Sequence, residues 1–508
     1  MAIEKNVNRK KEERVSGQRR PERIDSTHGQ ELCPVAKKCG GCQFQGLSYE
    51  KQLEKKHLLV KQCVGDVRVS RPIGMDEPRH YRNKVHAAFG RDRKGNVISG
   101  VYESGTHRIV PVESCMIEDV QADAIIATVR GLLKTFKIKT YDEDTGYGLL
   151  RHVMVRTAHA TGEILVVLVL ASPILPAKNN FVKALREAHP QITSIVINVN
   201  DRKTSMVLGE RNILLYGKGY IEDELCGNRY RISPNSFYQV NALQTKVLYD
   251  KAMEYAGLTG KETVIDAYCG IGTIGMTAAA HAKQVIGVEL NPSAVKDAIA
   301  NARRNDCKNI VFYNEDAGEY MRKLAAAPPE ERVKVDVVFM DPPRNGSSET
   351  FLDAVTLLSP RRVVYISCDP HTLGRDLDYM RSHGYRPVEC QPVDMFPYTD
   401  DIENVVLLER SGVYGRKHEE NTGKSGARKP RRKDGAGNPG RQRPRWENGA
   451  GKSEEQKQRR EDGAGNPGRQ KQRRKSGMER PGAQGSAHGD GRKKTEAWMK
   501  IERTGKKK

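Results

Sequence analysis

Thr263-Val264-Ile265-Asp266-Ala267 runs directly into Tyr268-Cys269-Gly270-Ile271-Gly272-Thr273, and this junction decides the fold. The first five residues read as a short apolar strand. The glycines after it let backbone approach a ligand closely. Outward from the junction, residues 226–410 alternate strand-like apolar runs with helical patterns, which predicts parallel βαβ units. The runs are residues 263–267, 284–289, 310–313, 335–340 and 362–367, closing with 404–409. A doubly wound α/β sheet is expected, with its ligands at the carboxyl ends of the strands.

Those carboxyl ends carry polar chemistry. The second strand ends in Glu289, placed to accept hydrogen bonds from a ribose diol. Gly270, Gly272 and Gly275 spell G-x-G-x-x-G, so a dinucleotide must be weighed. Four residues separate Ile265 from Gly270, Asp266 would repel a pyrophosphate at the turn, and the loop lacks a P-loop lysine. A cofactor with a ribose and no phosphates fits better, and S-adenosylmethionine is one. Alone, the glycine-rich turn is equally an ordinary tight strand–helix connection.

The fourth strand delivers Asp341-Pro342-Pro343-Arg344, whose prolines stiffen the turn and aim the carboxylate. Enzymes that methylate exocyclic amines use a similar Pro-Pro turn, so the motif does not name the target atom. The fifth strand ends Ile366-Ser367-Cys368-Asp369-Pro370. A helix beginning near Pro370 would lower the Cys368 thiol pKa and favour the thiolate. Cys63, Cys226, Cys269, Cys307 and Cys390 read as small packing residues. Glu403, at the entrance to the last strand, gains a role beside Cys368. Uracil C5 is too weak a nucleophile to attack a sulfonium methyl. Thiolate addition at C6 makes C5 enolate-like, and a base must then remove the C5 proton so that the thiol can leave.

Ser236-Phe237-Tyr238-Gln239-Val240-Asn241, residues 266–273, 341–344 and 367–370, and Ile402-Glu403-Asn404-Val405 occur in this order. With them the sequence resembles the RNA 5-methyluridine (uracil-C5) methyltransferases, in particular the iron–sulfur branch that modifies 23S ribosomal RNA. The resemblance covers roughly residues 31–410. It implies a C-terminal class I, Rossmann-like methyltransferase domain, with Cys368 as nucleophile and Glu403 as the proton-abstracting base. It also implies Gln239, Tyr268, Glu289 and Asp341 around S-adenosylmethionine, with Asp316 a weaker candidate, and 23S ribosomal RNA as partner. Many members carry a histidine two residues before the base, where this chain has Asp401. Members acting on ribosomal RNA often begin with a small β-barrel, whereas only about 30 mostly polar residues precede Cys33. A transfer-RNA uracil-C5 methyltransferase and a non-catalytic ribosome-assembly factor are the alternatives.

Cys33, Cys39 and Cys42 put three thiols within ten residues, Gly40 and Gly41 allow a tight turn, and Cys115 is a fourth candidate ligand. Four thiolates hold zinc or an iron–sulfur cluster, and the spacing matches neither common pattern well. The resemblance implies a 4Fe-4S cluster on Cys33, Cys39, Cys42 and Cys115, with a structural role.

The chain has 508 residues and a formal charge of +22. That charge sits at the ends: residues 411–508 hold 29 basic against 12 acidic groups, residues 1–30 carry +3, and the body between them only +2. The expected organisation is a disordered charged arm over 1–30, an iron–sulfur and α/β RNA-binding region over 31–225, the methyltransferase domain over 226–410 and a disordered basic tail over 411–508. In the tail DGAGNPGRQ occurs twice, at 434–442 and 462–470, without an apolar face to stack. Such a tail would tether RNA without reading its sequence. In the body, His80-Tyr81-Arg82-Asn83-Lys84 with Arg151, His152 and Arg156 are expected to contact RNA. The longest apolar run, 164–170, is far short of the ~20 residues of a membrane span. Ten cysteines and no export signal over residues 1–20 point to a cytoplasmic protein. No feature demands an oligomer, and a monomer is expected.

Overall fold

The computed structural model describes residues 32–411, except 104, 204, 205, 329 and 331. The described residues belong to one compact unit, Met1–Gly426. The arm over 1–30 and the tail after residue 411 lie outside them.

Eight strands build the sheet that carries the motifs: β1 (Arg68–Val69), β2 (Thr263–Ala267), β3 (Gln284–Glu289), β4 (Ile310–Asn314), β5 (Val337–Met340), β6 (Arg362–Ser367), β7 (Tyr385–Val393) and β8 (Glu403–Arg410). Their spatial order is β1-β7-β8-β6-β5-β2-β3-β4. All neighbours are parallel except β8, which runs antiparallel to both β6 and β7. The chain therefore winds one way from β2 through β3 to β4 and the other way from β5. The crevice where the direction switches opens at the carboxyl ends of β2 and β5.

Alternate residues of the strands feed two helix layers, as the near-continuous apolar runs require of a doubly covered parallel sheet. On one face Val264, Val285 and Phe339 pack with α2 (Ala242–Ala256), α3 (Thr273–Ala279) and α4 (Pro292–Arg304). On the other, Ile265, Ile286 and Val338 pack with α1 (Tyr49–Val64), α5 (Ala317–Ala326), α6 (Glu349–Leu358) and α7 (Pro370–Ser382).

A second sheet of seven strands runs in the order Ile109–Pro111, Val97–Tyr102, Lys84–Arg91, Leu150–Thr157, Ile164–Leu170, Ile192–Val199, Arg211–Gly217. Only Ile164–Leu170 and Ile192–Val199 are parallel, joined by the helix Lys178–Ala188. Val85, Ala87 and Phe89 face that helix and its companion Val120–Thr135 in one core. Met154, Leu165 and Val167 face the other way and share a core with α2 and α3.

The expected division between 225 and 226 is crossed. Arg68 and Val69 pair with Glu389 and Cys390, so β1 is an edge of the methyltransferase sheet, and α1 packs on α7. Lys56 of α1 and Asp394 just past β7 form an ion pair at 2.7 Å with both side chains 0% exposed. Residues 49–69 thus belong to the second half of the fold by packing. No described helix is long and apolar enough to cross a membrane.

Candidate active site

Strand register assembles the site before any side chain is considered. Ala267 pairs with Met340, so Tyr268 and Asp341 leave neighbouring strands side by side. Ser367 pairs with Asn404 across the antiparallel β6–β8 ladder, so Cys368 emerges beside Glu403. Asn404 is fully buried, and its amide donates to the Ser367 carbonyl at 3.2 Å, which locks the two strand ends together.

The glycine-rich turn has the shape its composition demands. Tyr268 (φ +63°), Gly270 (φ +54°) and Gly272 (φ +86°) all lie in the left-handed region. A Cβ on Gly272 would sit 2.9 Å from the Phe312 ring, whereas one on Gly270 would meet nothing within 4 Å. The turn is closed behind and open in front. Glu289 braces it, accepting the Gly270 N–H at 3.0 Å and the Asn291 N–H at 2.7 Å. Beside Glu289, Leu290 leaves an apolar side chain 69% exposed.

Asp266, expected at the turn where it would repel a pyrophosphate, is not at the ligand face. It is buried behind the turn, where its Oδ2 accepts the Gly275 N–H at 2.7 Å and its Oδ1 has no partner. Burial pushes its carboxyl up to about 8, with the Gly275 hydrogen bond opposing and Asp341 and Glu289 adding.

Gln239 is buried in a loop pinned from four sides. The Asn83 amide donates to the Gln239 carbonyl at 3.2 Å, and the Asn83 N–H donates to that of Val240 at 2.8 Å. Arg156 donates to the Ser236 carbonyl, and Asp297 of α4 accepts the Ser233 and Ser236 hydroxyls at 2.8 and 2.7 Å. Asn241 caps α2 and donates to the Met395 carbonyl at 3.0 Å. Asn83, expected from the sequence to contact RNA, instead holds this loop, and Asp297 was missed. Both act here through contacts made across 156 and 61 residues of chain, which no local pattern shows. Asp316, the weaker candidate, caps α5 by accepting the Glu319 N–H.

Around Cys368 the charges contradict one expectation. The thiol was expected to be acidic at a helix N-terminus. Instead burial pushes it up to about 12, with Glu403 and Asp341 adding and Arg344 opposing. The physical reason is the loss of solvent around the thiol, with two carboxyls beside it; Asp369 separately caps α7, accepting the N–H groups of His371 and Thr372 at 2.8 and 3.1 Å. Burial likewise pushes Glu403 up to about 8, with Asp341 and Asp401 adding and Arg344 opposing. Glu403 is 4% exposed, and its Oε2 has no hydrogen-bond partner among the described residues. Asp341 is pushed up to about 7 by burial. Asp401 makes an ion pair with Arg344 at 3.0 Å. The motif residue Arg344, given no role from sequence, is the cation that balances this group of carboxyls.

Most residues expected to contact RNA are engaged in structure. Arg151 is buried, bidentate to Glu143 at 2.9 and 2.7 Å and donating to the carbonyls of Asn200 and Arg202. Tyr81 donates its hydroxyl to the Pro397 carbonyl at 3.0 Å, and His152 and Arg156 are buried. Among the described residues no three His, Cys, Asp or Glu side chains converge closely enough to hold a metal ion. Cys33, Cys39, Cys42 and Cys115 therefore do not form an assembled ligand set here. Cys33 and Cys39 do lie close enough to act electrostatically on Cys42. Burial pushes the Cys42 thiol up to about 11 and the Cys115 thiol up to about 12.

Residues 48–411 match the family model described as tRNA (Uracil-5-)-methyltransferase. The chain is similar to an uncharacterized RNA methyltransferase of Caldanaerobacter subterraneus subsp. tengcongensis, 45% identical over 387 residues, which are 75% of this chain and 84% of that one. One of Halalkalibacterium halodurans is 44% identical over 395 residues, 77% of this chain and 84% of that one. Among solved structures it is similar to the Pyrococcus abyssi tRNA (uracil-54, C5)-methyltransferase in complex with S-adenosyl-L-homocysteine. That likeness has a TM-score of 0.61 and 28% identity, covering 72% of this chain and 85% of the other. With the match spanning both sheets and every strand end described above, the chain belongs to the RNA uracil-5-methyltransferase family.

Proposed function

We propose that this protein transfers the methyl group of S-adenosylmethionine to C5 of a uridine in 23S ribosomal RNA, with Cys368 as nucleophile and Glu403 as base. One observation carries the assignment: the Ser367–Asn404 register sets a thiol beside a buried carboxyl whose Oε2 has no partner. An unpaired buried oxygen is costly unless something that binds there uses it. Tyr268, Glu289, Asp341 and Gln239 would hold the cofactor. The open space before Gly270 and the exposed Leu290 beside Glu289 fit an adenosine. Bound S-adenosylmethionine supplies the electrophilic methyl. Cys368 adds to C6 of the uracil and Glu403 takes the C5 proton after methylation, so that the thiol can be expelled. Arg344 keeps the carboxyl group from accumulating uncompensated negative charge as the thiol and Glu403 ionise.

Both reacting groups must lose a proton and both are pushed upward, so activity should depend on pH in one direction. Below pH 8 Glu403 is mostly protonated, and kcat/KM is expected to fall with decreasing pH through an apparent pKa near 8. Initial rates from pH 6 to 9 at saturating cofactor check this; a flat profile would exclude Glu403 as the base.

The ribosomal target rests on the four cysteines, which the resemblance ties to that branch. The family description and the Pyrococcus abyssi similarity favour the second reading, a transfer-RNA substrate. Labelled S-adenosylmethionine incubated with unmodified ribosomal RNA and with unmodified transfer RNA decides between them. Label in uridine C5 of neither overturns both. We also propose that Cys33, Cys39, Cys42 and Cys115 hold a 4Fe-4S cluster. Gly40 at φ +67° makes the tight turn between Cys39 and Cys42, and the Cys39 sulfur lies 3.3 Å from where a Gly41 Cβ would stand. The cluster would tie the segment around residue 40 to that around residue 115. Iron and acid-labile sulfide measured after anaerobic purification, near four of each per chain, test this assignment.

A further inference from the structure

Lys84 is the first residue of the strand Lys84–Arg91 and stands opposite Arg156 on Leu150–Thr157. Val85, Ala87 and Phe89 point into the helix-covered core, so Lys84 and His86 lie on the opposite face of the sheet. Arg156 and Met154 share that face by register, and Met154 packs with the methyltransferase half. The group is cationic without compensation. Arg156 is 2% exposed, spends one nitrogen on the Ser236 carbonyl and leaves its Nε buried with no partner. The His86 Nδ1 is buried without a partner as well. The Lys84 ammonium makes no hydrogen bond or ion pair among the described residues. Burial, Arg156 and Arg82 push Lys84 down to about 8, and no carboxylate among the described residues opposes them. A half-buried cation among cations is costly unless an anion joins it.

The place of this group relative to the site names the anion. Asn83, one residue before Lys84, holds the Gln239 and Val240 carbonyls, and Arg156 holds that of Ser236. Lys84 therefore stands at the root of the loop that carries Gln239. A uridine turned out of its stack must have its flanking backbone held, and a phosphodiester brings one negative charge with several acceptor oxygens. A lysine ammonium suits such a contact as a point charge. We propose that Lys84 seats a phosphodiester of the RNA strand leading to the target uridine, an inference that rests on the RNA methyltransferase reading.

The test uses the full chain with whichever unmodified RNA, ribosomal or transfer, it binds more tightly. Lys84→Met keeps the apolar stem and removes the charge. It should weaken RNA binding about tenfold, flatten the slope of log K against log salt by about 0.7, and raise KM for RNA with kcat nearly unchanged. Lys84→Arg should stay within about twofold of the unaltered chain. Binding of S-adenosylmethionine and the melting temperature should not fall in Lys84→Met. An unchanged salt slope overturns the seat. Loss of cofactor binding overturns it too, since the anion would then be the cofactor's carboxylate, and a lowered melting temperature would show a structural lysine. If the unaltered chain methylates no RNA, the catalytic reading fails, while the salt slope still judges Lys84 independently.

Discussion

Glu403→Gln is expected to slow turnover by about 10²–10⁴-fold and to leave the RNA covalently attached to Cys368. The two effects have one cause. Glutamine fills the same space and cannot accept the C5 proton, so addition and methylation proceed while elimination stalls. The geometry favours such a trap. Glu403 is buried, its Oε2 has no partner among the described residues to take over, and Asp341 and Asp401 raise its pKa. Denaturing electrophoresis of the variant with labelled RNA should show a slow band, absent from the Cys368→Ala, Glu403→Gln double variant. An adduct that persists in the double variant would mean that another residue is the nucleophile.

The largest expected effect on stability lies far from the chemistry. Lys56→Ala should lower the unfolding free energy by about 3–5 kcal/mol, because it leaves Asp394 buried as an uncompensated charge. The ammonium donates to Asp394 at 2.7 Å and to the Phe396 carbonyl at 3.0 Å, and the Asp394 Oδ2 already lacks a partner. Replacing both partners by apolar residues of similar size, as in Lys56→Met with Asp394→Leu, should recover most of the loss. Urea denaturation of the single and double variants measures the difference. A single variant as stable as the unaltered chain would show that the pair contributes nothing.

The parallel core of the sheet was legible because its strands are apolar on both faces and end in chemistry. Val264-Ile265 before the glycine turn and the β5 run before Asp341 leave few other readings. β7 was not legible: Pro387, Glu389, Gln391 and Pro392 break its apolar pattern, and it forms because β8 and β1 supply the hydrogen bonds on either side. α1 was not legible: it is rich in charged residues, yet it buries Gln52 and Lys56, the latter only because Asp394 waits 338 residues away. At the site, Cys368, Glu403 and Asp341 could be named from motifs, and their adjacency follows from strand register. The raised thiol was hidden. The motif shows a cysteine at a helix start, whereas the burial that raises it and the nearness of Glu403 and Asp341 come from strands brought together by the fold. The ion pair of Asp401 with Arg344 was equally invisible, since its partners are 57 residues apart.

The pairing of β1 with β7 also sets an order in time. Arg68 and Val69 leave the ribosome early, and their partners Glu389 and Cys390 follow some 320 residues later. At ~5–20 residues per second that is a wait of roughly 15–60 s, during which α1 carries Val60, Val64 and a buried-to-be lysine with nothing to cover them. The seven-stranded sheet, whose strands lie close in sequence, can close meanwhile. The sheet that carries Cys368 cannot be completed until synthesis has passed β7 and β8. A nascent chain stopped short of residue 385 should therefore expose α1 to protease, and the last stretch translated before the tail is the one that seals the beginning.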